Sequence, residues 1–165
     1  MGMWRIASML LACLLVEVTL PSCVPLADAS TDAPTPSVVM IWEVGEAGLY
    51  PLAIEAGLGC PRMVWRDMEY REASRKSIEE FIKWDQTDKL RRTRFFDCDD
   101  FALIFDANIH KWCAGIAAGQ VCYIRSDGVK HAVNIIVMDG KFWLFEARTD
   151  KLFEVLEGEV CWFLF

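Results

Sequence analysis

The chain has 165 residues, a formal net charge of −7 and 54% hydrophobic residues. It is acidic, and its one basic cluster (Arg91, Arg92, Arg94) is followed at once by acidic residues, which argues against nucleic acid as a partner. Seven cysteines and two histidines without a C-x-x-C pair leave no zinc or haem motif to assemble.

Residues 1–5 carry one positive charge, and residues 6–16 form an apolar run. Its length suits a secretory signal and falls short of the roughly 20 residues that span a membrane. Two processing sites compete. Leu20-Pro21-Ser22-Cys23 resembles a bacterial lipobox, which would make a diacylated Cys23 the mature N-terminus, whereas Ala27-Asp28-Ala29 fits ordinary signal peptidase. The short distance from the apolar run to Cys23 favours the lipoprotein option. The expectation is a signal peptide over 1–22, a flexible tether over 23–37 and a folded domain over 38–165. The protein would be exported, at the cell surface or in the periplasm, and touch membrane only through its N-terminal lipid or signal segment.

An apolar run over 37–42 opens the domain. The stretch 43–67 yields no assignable element. Ser77-Ile78-Glu79-Glu80 reads as a capping box, and Ile78, Phe81 and Ile82 then share one face of a helix that ends near Trp84-Asp85. Residues 98–112 contain no Gly or Pro and carry Phe101, Ala102, Ile104, Phe105 and Ile109 at helical spacing. Asp97 is the expected N-cap, with Asp99 and Asp100 in the first turn, where carboxylates suit the helix dipole.

Strands are expected over 120–125, 131–138, 141–148 and 160–165, with Asp139-Gly140 as a hairpin turn. The fold class that follows is α+β, a nucleophile-bearing helix on an antiparallel sheet. Of the cysteines in the domain, four of Cys60, Cys98, Cys113, Cys122 and Cys161 could pair in an oxidising compartment, with Cys98 left over; all five reduced is the other option.

Cys98 at a helix start, followed by His131 and Glu146 on neighbouring strands, is the order a cysteine nucleophile needs. A thiolate is favoured by free helix amides and by an imidazolium, and opposed by Asp97, Asp99 and Asp100 if they face it. In a hairpin turning at Asp139-Gly140, paired positions sum to 279, which makes Glu146 the diagonal neighbour of His131 on one face. Taken singly, each of the three has an ordinary structural reading: core thiol, turn imidazole, solvated strand end. His110, near the end of its helix, reads as structural.

Asp97-Cys98-Asp99-Asp100-Phe101-Ala102, His131-Ala132-Val133-Asn134 and Phe145-Glu146-Ala147-Arg148-Thr149-Asp150, with Asp85-Gln86-Thr87-Asp88 upstream, resemble the papain/transglutaminase-like superfamily. The likeness is nearest to the papain-like domain of MOA-type agglutinins and covers residues 74–165. It implies Cys98 as nucleophile, His131 as general base and acid, and Glu146 as the orienting partner. No cofactor is then required; calcium is the cation the resemblance implies, with Asp97, Asp99, Asp100 and Asp106 as oxygen ligands. The expected function is an exported cysteine hydrolase or acyl transferase acting on amide bonds of a protein or peptide. A second reading is a catalytically inactive papain-like binding or structural lipoprotein with an aromatic cleft near Trp143 and Phe145.

Overall fold

The computed structural model describes residues 32–45, 48–60, 62–154 and 158–165. The expected signal segment, both processing sites and the start of the tether lie outside the described residues.

The elements are β1 (Val38–Glu43), α1 (Leu49–Glu55), β2 (Met63–Val64), β3 (Glu69–Ala73), α2 (Arg75–Trp84), α3 (Cys98–Trp112), β4 (Ala118–Arg125), β5 (Lys130–Met138), β6 (Lys141–Glu146), β7 (Lys151–Phe153) and β8 (Gly158–Leu164). β1 and β3 make a small antiparallel sheet. The larger sheet has six strands in the order β2-β8-β4-β5-β6-β7, in which β2 runs parallel to β8.

This corrects the expected fold class. A helix-led α+β domain on a purely antiparallel sheet is replaced by a strand-dominated structure with a mixed main sheet and a second sheet. β2 has two residues and is too short to carry a periodic signal. In β3 the buried face includes Glu72, 3% exposed, so strand alternation there is disguised by a carboxylate inside. Glu72 accepts hydrogen bonds from Trp42 Nε1 at 2.7 Å and from the Gly140 amide at 3.1 Å.

Alternation along β5 divides the core in two, because successive side chains of a strand point to opposite faces. Val133, Ile135 and Val137 join Leu49, Ala53, Tyr70, Phe163 and Phe165 on one side. Ile136 and Met138 join Ile78, Phe81, Phe101, Phe105 and Ile109 from α2 and α3 on the other. Fully burying one such side chain stabilises by about 1.5–3 kcal/mol.

α3 has the expected bounds. Asp97 precedes it, and the Asp97 amide donates to Asp100 Oδ2 at 3.0 Å. α2 begins earlier than the expected capping box: Ser74 is the N-cap and accepts from the Ser77 amide at 3.3 Å. The Ser77 hydroxyl cannot cap, since it accepts from the Ser74 hydroxyl at 3.0 Å and the Ser37 amide at 3.1 Å.

Asp139 (φ 55°) and Gly140 (φ 70°) form the β5–β6 turn, and Met138 pairs with Lys141 and Asn134 with Phe145. Positive φ at both turn residues matches the twist of the flanking strands. α3 is held to the sheet by Asn134 Nδ2, which donates to the carbonyls of Ala102 at 2.8 Å and Gly119 at 3.3 Å.

Candidate functional site

Cys98, the first residue of α3, and His131, near the start of β5, line one cleft of about 510 Å³. Glu146 closes β6, and its Oε2 lies 2.6 Å from His131 Nε2. The His131 ring also meets Tyr123 edge-on, its partner across β4–β5, with centroids 5.7 Å apart. Burial alone would raise the Glu146 carboxyl; the hydrogen bond and charge of His131, with help from Arg148, outweigh it and hold the group below the usual carboxylate range. The Arg148 amide contacts the other Glu146 oxygen at 3.4 Å.

The sulfur is placed differently from what an activated nucleophile needs. Cys98 Sγ donates to Asp97 Oδ1 at 3.7 Å, and among the described residues no hydrogen bond joins it to His131. Burial pushes the thiol up, and the charges of Asp97 and Asp99 push it further; the Ala132 amide opposes them only in part. A thiolate is the reactive species, and this environment disfavours it. Asp97 and Asp99 share a hydrogen bond, which lowers the Asp97 carboxyl and raises that of Asp99.

The four aspartates expected to hold a cation are not gathered together. Ligand atoms of Asp97, Cys98 and Asp99 lie within 4.8 Å of one another, the one such grouping among the described residues. Asp100 is engaged by the Asp97 amide. Asp106 is buried further along α3, where Arg66 grips both its oxygens at 2.9 and 3.1 Å and Gln120 Nε2 donates at 3.2 Å. Burial would raise Asp106; His110, Arg66 and Gln120 together hold it low. Two carboxylates and a thiol are a poor oxygen shell for calcium, which takes six to eight oxygen ligands. His110 Nε2 lies 3.5 Å from Asp106 and 3.2 Å from the Ala118 carbonyl, a structural setting.

Sequence reasoning named Arg92 and Arg148 without assigning them, or the rest of the lining, to this cleft. Arg92, Arg125, Lys130, Arg148 and Trp162 line it with the residues above. They are scattered along the chain: Arg125, Lys130 and Arg148 sit at or just past the ends of β4, β5 and β6, Trp162 lies within β8, and Arg92 comes from the segment before α3.

No family model and no curated protein matches the chain. Among solved structures, a PSL1a–E64 complex superposes with a TM-score of 0.58 and 23% identity over 68% of this chain and 48% of its own. Polyporus squamosus lectin bound to the human-type influenza-binding epitope Neu5Acα2-6Galβ1-4GlcNAc superposes with a TM-score of 0.56 and 22% identity over 70% of this chain and 48% of its own. The chain thus spans about half the length of these structures, and at such identity the likeness is one of fold. These matches overturn the expected place in the papain/transglutaminase-like superfamily, and with it the cysteine hydrolase, peptidase and acyl-transferase reading and the papain-like part of the second reading: the neighbours are lectin structures. What the comparisons establish is a chain that shares the fold of part of a lectin.

Proposed function

We propose that this chain is a binding protein that takes an acidic oligosaccharide in the cleft around Cys98, His131 and Glu146. The carrying observation is the cleft lining: four basic side chains, Arg92, Arg125, Lys130 and Arg148, converge in a chain whose net charge is −7. A concave, cationic surface concentrates anionic ligands, and arginine matches a carboxylate through paired N–H donors. Arg125 is already paired with Asp127 at 3.0 Å, so Arg92, Lys130 and Arg148 are the cations assigned to the ligand. Trp162 offers an apolar plate, and Asp97 and Asp99 offer acceptors for hydroxyl groups. A cleft of about 510 Å³ falls in the range that suits small ligands. In this reading Cys98 and His131 shape the wall, with Glu146 bracing His131 from behind, rather than react. The lectin neighbour's sialylated ligand supports the choice of an acidic sugar.

Calorimetric titration of the full chain with Neu5Acα2-6Galβ1-4GlcNAc and with Galβ1-4GlcNAc tests this. Binding of the sialylated sugar alone is expected, weakened at least about tenfold, or 1.4 kcal/mol, in Lys130→Ala/Arg148→Ala. Equal affinity for both sugars, or no heat with either, overturns it. Incubation with E64 provides a second check: a covalent adduct on Cys98 would show a reactive thiolate and overturn the binding reading.

A further inference from the structure

Five free cysteines are present among the described residues, and Cys122 lies near two of the others, Cys98 and Cys161. In the β4–β8 pairing Cys122 opposes Trp162 and Tyr123 opposes Val160, so Cys161 is the extra residue of a bulge. This sets Cys161 beside Cys122 across the two strands, while Cys98, at the head of α3, lines the same cleft as Cys122. Cys122 lines the cleft, 9% exposed, and Cys161 sits half-buried outside it.

We infer that Cys122 and Cys161 are a cross-strand pair that closes to a disulfide on contact with a small-molecule disulfide, leaving Cys98 as the free thiol of the cleft. In a bulge two residues of one strand oppose one of its partner, which brings Cys161 across from Cys122 at the short Cα separation a disulfide needs. The alternative partner is restrained: bonding to Cys98 would pull its sulfur from Asp97 and the Ala132 amide. The Cys161 thiol contacts the Glu159 carbonyl at 4.0 Å, a long and weak hold that lets it turn toward Cys122.

The chemistry balances. The more exposed Cys161 loses its proton and attacks one sulfur of the reagent, forming a mixed disulfide and expelling one small thiolate. Cys122 then loses its proton and attacks the Cys161 sulfur, forming the protein disulfide and expelling the second thiolate. Two electrons and two protons pass to the reagent, which leaves as two thiols. Should the chain be exported, such a bond would persist in the oxidising medium. The inference does not depend on whether the cleft takes a sugar.

The test uses the full chain, reduced and then exposed to oxidised glutathione, with digestion under non-reducing conditions. The expected result is one cross-linked peptide pair joining Cys122 to Cys161, lighter by two hydrogens, with Cys98 still open to alkylation. Oxidised protein should melt at a higher temperature than reduced, and Cys161→Ser should abolish both the cross-link and that difference. Cys98→Ser, which leaves the strands untouched, should retain the cross-link. A Cys98–Cys122 bond, loss of the link in Cys98→Ser, or full alkylation of both strand cysteines after oxidation overturns the inference.

Discussion

Glu146 and His131 are 15 residues apart in the chain, and their side chains meet at 2.6 Å because one two-residue turn sets the register of both strands. The pair is shielded, with side chains 17% and 18% exposed, so solvent screening discounts it little. A carboxyl held low contributes stability above its unfolded value, about 4.3, and loses it as pH falls through the lower folded value. Glu146→Gln should therefore cost about 1–2 kcal/mol at pH 7 in urea unfolding. The difference from wild type should shrink toward pH 3; a constant difference would refute the charge argument.

Asp106 should matter more for stability. It is 3% exposed and anchors Arg66 and Gln120 between α3, β4 and the loop after β2. Removing one partner of a buried pair costs about 3–5 kcal/mol. The Arg66 side chain is 35% exposed, which places Asp106→Ala at the lower end, about 3 kcal/mol. Arg66→Met/Asp106→Leu should recover most of the loss in thermal or urea unfolding, since an apolar pair leaves no stranded charge.

The Cys98 thiol should label slowly with iodoacetamide at neutral pH and gain rate only above the range of an ordinary cysteine. Its raised folded value means the native state favours the protonated thiol, a contribution present below the unfolded value near about 8.5 and lost as pH climbs through the folded one. Asp97→Asn/Asp99→Asn removes two of the causes and should speed labelling at pH 8. Rapid labelling of the wild type at pH 6, followed by peptide mass spectrometry, would contradict this.

Gly119 lies where β4 passes β8. A Cβ there would stand 2.2 Å from the Leu164 carbonyl oxygen and 2.7 Å from Phe165 Cα, both backbone atoms that cannot step aside cheaply. Gly119→Ala is expected to cost about 1–3 kcal/mol. Gly45→Ala, with nothing within 4 Å, serves as the control and should stay within about 0.5 kcal/mol.

What the chain discloses on reading depends on how local the determining forces are. α3 was legible to its ends because its cap, its first-turn carboxylates and its apolar stripe all lie within residues 97–112. The β5–β6 hairpin was legible because Asp139-Gly140 fixes register over a few residues. α1 was not: Gly48 precedes it without a capping side-chain hydrogen bond. Ser77 misled because its hydroxyl is committed to Ser74 and to Ser37, 40 residues away. Arg66 and Asp106 are likewise 40 residues apart, so an expected cation ligand proved to be half of an ion pair. The three site residues could be named from their order. The basic lining depends on tertiary placement alone.

The Glu72 carboxylate has a mechanical consequence. By taking the Gly140 amide as well as the Trp42 indole, it rivets the far end of the β5–β6 ribbon to the smaller sheet. The ribbon then cannot swing as a lever when something enters beside His131. Any hinge must sit at the opposite end, in the solvent-exposed reversal over residues 125–130, and amide exchange there, rather than at the tip, would register the arrival of a guest.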